Sequence, residues 1–158
     1  MAKCHAVYPT PFWREKGLSG QVISDEDDVV VTYDNSPPSG QPGILVGFLE
    51  GREARQWADR PEADLRKMVL AAFEKYFGPD ARSPTEFYVA DWAGETWTRG
   101  CFSAVLPPGT WTGYPNVLRT PVGRIHWAGT ETATKWYAYF DGAVASGERA
   151  AEEVLQKL

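Results

Sequence analysis

The clearest periodicity in the sequence belongs to residues 62–77, EADLRKMVLAAFEKYF. Apolar side chains recur there every three or four residues, which places them along one face of a helix. Gly78-Pro79 follows directly and ends the pattern. The sequence therefore predicts an amphipathic helix that buries one side against another layer. The side to be buried consists of Leu65, Met68, Val69, Ala72, Phe73 and Tyr76.

Shorter segments around this helix have the composition of β-strands. Residues 25–28, Asp-Glu-Asp-Asp, separate two of them and predict a hairpin with a solvated tip. Ile44–Leu49 is apolar apart from Gly47, as expected of a strand covered on both faces. We expect strands over Lys3–Val7, Gln21–Ser24, Val29–Tyr33, Ile44–Leu49 and Thr85–Asp91.

These segments together predict an α+β fold, with a mixed sheet flanked by helices. A short helix is expected over 53–58, and the Pro- and Gly-rich residues 35–43 must form a loop. Lys3–Val7 has the pattern of a strand that continues from a preceding segment. We expect Lys3–Val7 and Arg124–Ala128 to pair with strands outside the chain, which would leave their edges exposed. Exposed edges favour self-association or pairing with another protein.

The last part of the chain has a different character. Residues 92–120 are aromatic, rich in glycine and irregular, which is typical of a site on loops. A short strand is expected over 124–128, followed by a polar run at 129–134 and a helix from about Tyr139 to Gln156. One face of that helix carries small residues, so we expect it to pack closely against a partner.

Composition excludes several classes of function. The 158 residues have a formal net charge of -5 and no basic block, which argues against nucleic acid or an anionic membrane as partner. The two cysteines and two histidines lack metal-ligand spacing, so no metal site is expected. No segment approaches the roughly 18 apolar residues of a membrane span, and no signal sequence is visible. We therefore expect a cytoplasmic protein.

A strand, a Gly-Thr turn and a helix with a small-residue face can form a ligand site. The N-terminus of a helix offers unpaired N–H groups and favours an anion or the electron-rich edge of a cofactor ring. The simpler alternative is that Thr130, Thr132 or Thr134 caps the helix. Composition alone favours the cap.

The string from Gly123 to Ala151 closely resembles the C-terminal flavin-binding motif of the flavin-containing monoamine oxidase family. It reads GRIHWAGTETATKWYAYFDGAVASGERAA. Weaker matches to the family occur upstream in the same order and cover essentially the whole chain. They are Lys3-Cys4, Pro11-Phe12-Trp13-Arg14, Gly47-Phe48, Ala54-Arg55, Trp92, Gly100-Cys101 and Pro107-Pro108-Gly109.

The resemblance implies an FAD-dependent oxidation of an amine to an imine, with O2 reduced to H2O2. Lys3 matches a lysine that holds a water near the flavin N5 in the family; without the resemblance it would be a surface lysine. Phe102 and Tyr139 match two aromatic residues that sandwich the amine, although better-known members carry Tyr where this chain has Phe102. Core packing is the alternative role for both aromatic residues.

The resemblance also implies contacts with the flavin ring. Cys101 matches a cysteine that forms a thioether to the flavin in some members, and its alternative role is a small buried hydrophobe. Trp92 matches a tryptophan beside the ring, with a purely structural role as the alternative. Gly129, Thr130 and Phe140 fall where the family contacts the isoalloxazine.

The Gly-rich GxGxxG fingerprint that binds the FAD pyrophosphate is absent from the sequence. The chain therefore looks like the C-terminal part of such an enzyme, with a substrate-domain portion at 1–98 and the last segment of the FAD domain at 99–158. We expect it to need a complementary N-terminal half. The alternative is a non-catalytic remnant or binding module that pairs with another chain. The preferred amine, including a polyamine or an L-amino acid, stays open.

Overall fold

A computed structural model describes residues 1–101, 103–114 and 116–157. The chain divides into two compact units, Met1–Cys101 and Phe102–Leu158. This division lies close to the boundary expected after residue 98, and the assignment of the parts to a substrate domain and an FAD domain stays a prediction. Within the described ranges, no helix combines the length and apolarity needed to cross a bilayer.

The first unit is built on a five-stranded sheet in the order β2-β3-β4-β1-β5. Every pair of neighbouring strands is antiparallel, so the α+β class holds while the expectation of a mixed sheet is wrong. A parallel pair needs a crossover connection, and no described strand of this sheet has a parallel neighbour. The strands are β1 (Ala2–Tyr8), β2 (Val22–Ile23), β3 (Val31–Asp34), β4 (Gly43–Leu49) and β5 (Glu86–Asp91).

Strand β1 lies in the interior of the sheet, which corrects a second expectation. Ala2–Tyr8 pairs with β4 along its whole length, and its other edge pairs with β5. Both partners come from far along the same chain, so the edges of β1 are not exposed. A local pattern of side chains reveals a strand but not its distant partners.

Three α-helices accompany the sheet in this unit: α1 (Phe12–Glu15), α2 (Gly51–Trp57) and α3 (Glu62–Phe77). The sequence predicts α3 with these bounds and α2 within two residues of its bounds. The predicted apolar side of α3 is buried or half-buried, and Leu70 and Phe77 are buried as well. Alternate residues of β1, namely Ala2, Cys4, Ala6 and Tyr8, belong to the same core cluster as Val69 and Phe73.

Gly47 permits a close approach between β4 and α3. A Cβ at this position would lie 2.8 Å from Cε1 of Phe73, which is too short for a real contact. The absence of a side chain therefore lets the Phe73 ring pack directly on the strand. The resulting core holds the face of β1 that carries Cys4.

The acidic hairpin tip is less solvated than expected. Asp27 accepts hydrogen bonds from the Lys75 ammonium and the Tyr76 hydroxyl, both at 2.8 Å. Asp28 accepts a hydrogen bond of 2.7 Å from the indole N–H of Trp57. These hydrogen bonds attach the hairpin tip to α2 and α3, because its carboxylates accept from side chains of both helices.

The second unit contains α4 (Thr110–Gly113), a 3-10 turn (Thr130–Thr132) and α5 (Phe140–Leu155). The expectation of a strand over 124–128 is wrong. Ile125 forms only an isolated β-bridge, with Val122. A strand needs a neighbour to bond along its length, and the described part of the chain supplies none there. The irregular character expected of 92–120 is found in the described residues of this range that lie outside α4.

Candidate functional site

Lys3 lies on the sheet face that points away from the core. It stands opposite Phe48 on β4 and Ala90 on β5, and its neighbours in β1 on either side are buried in the core. The Lys3 ammonium lies 5.5 Å from the centre of the Phe48 ring. Within the described ranges Lys3 forms no salt bridge. The half-buried cation is thus held by an aromatic ring.

His5 shares this face with Lys3. It lies opposite Val46 and Tyr88 in the neighbouring strands. Burial lowers the pKa of His5, and the positive charge of Lys3 lowers it further. The imidazole is therefore neutral at pH 7. Lys3 is then the one charged side chain that β1 carries on this face.

Trp92 stands one residue beyond the end of β5. Its backbone N–H reaches the carbonyl of Met1 at 3.3 Å, which continues the ladder between β5 and β1 by one step. The indole Nε1 is buried and has no hydrogen-bond partner among the described residues. Buried N–H groups almost always have a partner, so this donor is an exception within the described part of the chain.

The two cysteines lie in different environments. Cys4 is fully buried, and burial, followed by the charge of Glu62, raises the pKa of its thiol to about 12. A thiol in that state is a poor nucleophile. Cys101 is free and only half-buried. Of the two, Cys101 is the one accessible to a partner molecule.

In the second unit, Gly129, Thr130, Tyr139 and Phe140 come together at the start of α5. The Thr130 hydroxyl accepts a hydrogen bond of 2.7 Å from the Ala138 N–H and faces the Tyr139 carbonyl at 3.4 Å. The Gly129 N–H donates to the Ser146 hydroxyl at 2.9 Å, which fastens the turn to α5. Four predicted site residues therefore form one local structure.

The segment that leads into α5 has an unusual backbone. Trp136 and Ala138 adopt φ values of 56° and 69°, although neither is glycine. Such conformations are rare for residues with a Cβ and persist only where surrounding contacts impose them. The backbone of Gly142 lies close against this segment, since a Cβ at Gly142 would be only 2.2 Å from the Trp136 carbonyl oxygen. The turn is held in one specific shape.

The cap expected as the simpler role of the threonines is not found. Tyr139 is the N-cap of α5, and no side chain caps the helix. Thr130 instead bonds the chain before the helix begins. Tyr139 is 62% exposed and Phe140 is 93% exposed. Trp136 packs edge-on against Tyr139 with ring centres 6.0 Å apart. An uncapped helix end therefore carries an exposed aromatic surface.

The face of α5 that was expected to pack closely is not buried. It consists of Ala143, Val144, Gly147, Ala150, Ala151 and Val154, and Val144 is 60% exposed and Val154 41% exposed. The buried residues of α5, Gly142 and Ser146, lie outside that face. An apolar side chain on a regular helix usually meets a neighbour. Much of this face is thus free to contact another body.

The structure places Lys3, Trp92 and Cys101 in the first unit and Gly129, Thr130, Tyr139 and Phe140 in the second. Phe102 lies outside the described residues. Sequence reasoning did not single out Phe48 or Trp136 as site residues. The contact of Phe48 with Lys3 depends on cross-strand register, which no local motif encodes. The positive φ of Trp136 likewise follows from the folded turn and has no signature such as glycine.

Among the residues that the structure describes, no group of three or more His, Cys, Asp or Glu side chains could hold a metal ion.

The family model described as flavin containing amine oxidoreductase matches residues 1–155. A relative from Mycobacterium tuberculosis, whose name describes a flavin-containing monoamine oxidase, is 47% identical over 100% of this chain and 34% of its own length. An L-amino acid dehydrogenase from Synechocystis is 41% identical over 94% of this chain and 31% of its own length.

A solved structure of putrescine oxidase bound to putrescine superposes with a TM-score of 0.90 at 37% identity. The match covers 98% of this chain and 34% of that protein. The chain thus spans about a third of the length of the proteins that it resembles.

Proposed function

This chain belongs to the flavin containing amine oxidoreductase family, and from that premise we propose that it forms the amine-binding part of an FAD-dependent amine oxidase. The observation that carries the proposal is the family match over 1–155 together with the gathering of Gly129, Thr130, Tyr139 and Phe140 at the start of α5. The oxidised substrate is an amine, which becomes an imine. O2 is reduced to H2O2.

The residues present suit a flavin ring but not the whole cofactor. The unpartnered buried indole N–H of Trp92 and the uncapped start of α5 are polar groups of the kind that the edge of a ring would satisfy. The missing GxGxxG leaves no cradle for the pyrophosphate. When bound, FAD supplies the two-electron acceptor. Gly129, Thr130 and Phe140 of the second unit would contact its ring, and Trp92 of the first unit is proposed separately for such a contact.

Lys3 is proposed to hold a water molecule beside the reacting centre. An ammonium has three N–H donors, and Lys3 forms no ion pair within the described ranges that would occupy them. Its half-buried position on the sheet keeps it from moving freely with solvent. These features suit a residue that orients one water and supplies or withdraws a proton from it.

Tyr139 and Phe102 are proposed to form the two walls that flank the amine. Aromatic faces accept a flat or extended substrate and attract its nitrogen. Apolar surroundings also disfavour the ammonium form of the amine, and only the neutral amine has the lone pair that assists C–H cleavage. Tyr139 is exposed and packs edge-on against Trp136, so it is available for this role.

A complementary N-terminal half is proposed to supply the pyrophosphate site. The chain covers 34% of the Mycobacterium tuberculosis relative, so the remaining part of that protein is a concrete stand-in for the partner. The exposed apolar residues of α5 fit such an association. Self-association stays a prediction, although the pairing of both edges of β1 removes the exposed edge that suggested it. Cytoplasmic location likewise stays a prediction, and cell fractionation tests it.

Cys101 is proposed as the site at which a covalent flavin link would form. Its thiol is half-buried and free, whereas Cys4 is enclosed in the core. Acid precipitation of the assembled protein should leave the yellow colour in the pellet, and Cys101→Ala should release it to the supernatant. A colourless wild-type pellet would contradict the link.

The experiment that tests the proposed function is co-expression with the part of the Mycobacterium tuberculosis relative that this chain does not match. We expect a complex with flavin absorbance that releases H2O2 from an amine. A panel of primary amines, secondary amines, diamines and L-amino acids identifies the substrate class. Lys3→Met should retain the flavin and lose most turnover. An assembled flavin complex that oxidises no member of the panel would favour the non-catalytic alternative instead.

A further inference from the structure

The Lys3 ammonium has a single partner among the described residues, which is the ring of Phe48. The distance from Nζ to the ring centre is 5.5 Å, inside the roughly 6 Å limit of a cation–π contact. Lys3 and Phe48 are directly paired in the register of β1 and β4. Directly opposed residues of an antiparallel pair point to the same face. The contact is therefore built into the sheet.

The Phe48 ring is itself held in place. Tyr33 on β3 packs edge-on against it, with ring centres 5.8 Å apart and planes at 88°. The backbone beside it is fixed too, because Gly47 lies against Phe73 of α3. A row of three side chains, Tyr33, Phe48 and Lys3, thus crosses strands β3, β4 and β1.

We propose that Phe48 is the positioning residue that sets where the Lys3 ammonium lies, an inference that rests on the proposed role of Lys3. A carboxylate partner would bind the ammonium through its N–H donors and draw it toward itself. An aromatic ring attracts the charge through its face and leaves donors for other ligands. Phe48 can therefore fix the position of Nζ while its N–H groups remain available to a water molecule.

The contact is tested first by NMR on the 158-residue chain. We expect upfield-shifted Lys3 Hε signals and cross-peaks from Lys3 Hε to the Phe48 ring. Phe48→Leu should abolish the upfield shift, and Phe48→Tyr should preserve it. Phe87→Leu is the matched control, since Phe87 lies on the neighbouring strand β5 beneath a different cation, Arg66 at 5.4 Å. Wild-type Lys3 signals at random-coil positions would overturn the proposal even if no variant folds.

The functional consequence is tested by a double-mutant cycle in the complex that carries flavin. Phe48→Leu should lower kcat roughly 2- to 30-fold, the range of a cation–π contact, with little change in KM. In the Lys3→Met background the same substitution should have no further effect, because the residue that it positions is gone. An equal loss in both backgrounds would mean a merely structural role and would overturn the proposal.

The two tests separate this inference from the proposed function. If Lys3→Met leaves turnover intact while the NMR contact is present, the proposed role of Lys3 in the reaction is wrong, but the contact between Lys3 and Phe48 is confirmed. If Lys3→Met abolishes turnover while the contact is absent, the proposed function stands and Phe48 is not the positioning residue.

Discussion

Trp13 and Trp92 differ in whether the indole N–H has an acceptor. Trp13 is fully buried and donates to Asp34 at 2.8 Å. The Nε1 of Trp92 is buried without a partner among the described residues. A buried donor without an acceptor costs about 1–3 kcal/mol. The same substitution should thus have different effects at the two positions.

We expect Trp13→Phe to lower the free energy of unfolding by about 1–3 kcal/mol more than Trp92→Phe does. The first variant breaks a hydrogen bond, whereas the second removes a donor that was unsatisfied. Urea unfolding of the two variants and the wild-type chain measures the difference. Equal losses would show that Trp92 has an acceptor in the isolated chain.

Asp34 joins three side chains at one end of the sheet. Burial alone would raise the pKa of its carboxyl, but hydrogen bonds from Arg14, Ser36 and Trp13 outweigh burial and hold the pKa well below its usual range. A carboxylate with a depressed pKa stabilises the fold above the pKa of the unfolded chain, about 3.9. That stabilisation is lost as the pH falls through the folded pKa.

Asp34→Asn should therefore flatten the fall in stability below about pH 4, because the amide accepts from Trp13 but carries no charge. At pH 7 the variant should be less stable by about 1–3 kcal/mol. Asp80→Asn is the control, since its pair with Lys16 is exposed and contributes about 0–1 kcal/mol. The free energy of unfolding of the wild type and of both variants, measured from pH 2 to pH 7, tests this prediction. Parallel pH profiles for wild type and Asp34→Asn would contradict the account.

At the scale of elements, α5 contains two glycines with opposite surroundings. A Cβ at Gly142 would lie 2.2 Å from the Trp136 carbonyl oxygen. A Cβ at Gly147 would meet nothing within 4 Å. Gly142 is thus required by the turn that presents Tyr139, while Gly147 is not required by any contact in the described chain.

We expect Gly142→Ala to destabilise the second unit by about 1–3 kcal/mol, as overpacking does. Gly147→Ala should stabilise α5 by about 0.5–1 kcal/mol, because alanine favours helix. Thermal unfolding followed by circular dichroism measures both. Equal and small effects would mean that the backbone of Trp136 is free to move away, and that the turn is not held in its specific shape.

The sequence predicts elements better than it predicts their partners. The helix at 62–77 was predictable because its periodicity is local and its burial follows from that periodicity. The strand expected over 124–128 was wrong because a strand also needs a neighbour, which that segment lacks within the described chain. The same reason explains why β1 was expected to lack partner strands within the chain, although it lies between β4 and β5.

The candidate site was predictable where a continuous motif carries it. Gly129, Thr130, Tyr139 and Phe140 lie within the closing string and gather at one helix end. Phe48 was missed, since its contact with Lys3 requires a register between strands that are far apart in sequence. Chemistry that depends on long-range pairing is the part that the sequence alone leaves undetermined.

At the scale of the whole molecule, the decisive feature is the part of the proposed FAD site that the sequence lacks. Residues proposed to contact the flavin ring occur in each of the two units, but the sequence has no GxGxxG for the pyrophosphate. It spans about a third of the relatives that it matches. The Gly-rich turn and the helix N-terminus that follows it are what bind the pyrophosphate of a dinucleotide. The isolated chain should therefore bind FAD weakly or not at all.

Titration of FAD into the purified chain, with and without the complementary half, tests this claim most directly. We expect no change in flavin fluorescence with the chain alone and saturable quenching once the complementary half is present. A chain that is purified yellow by itself, retains FAD through gel filtration and releases H2O2 from an amine would contradict the account.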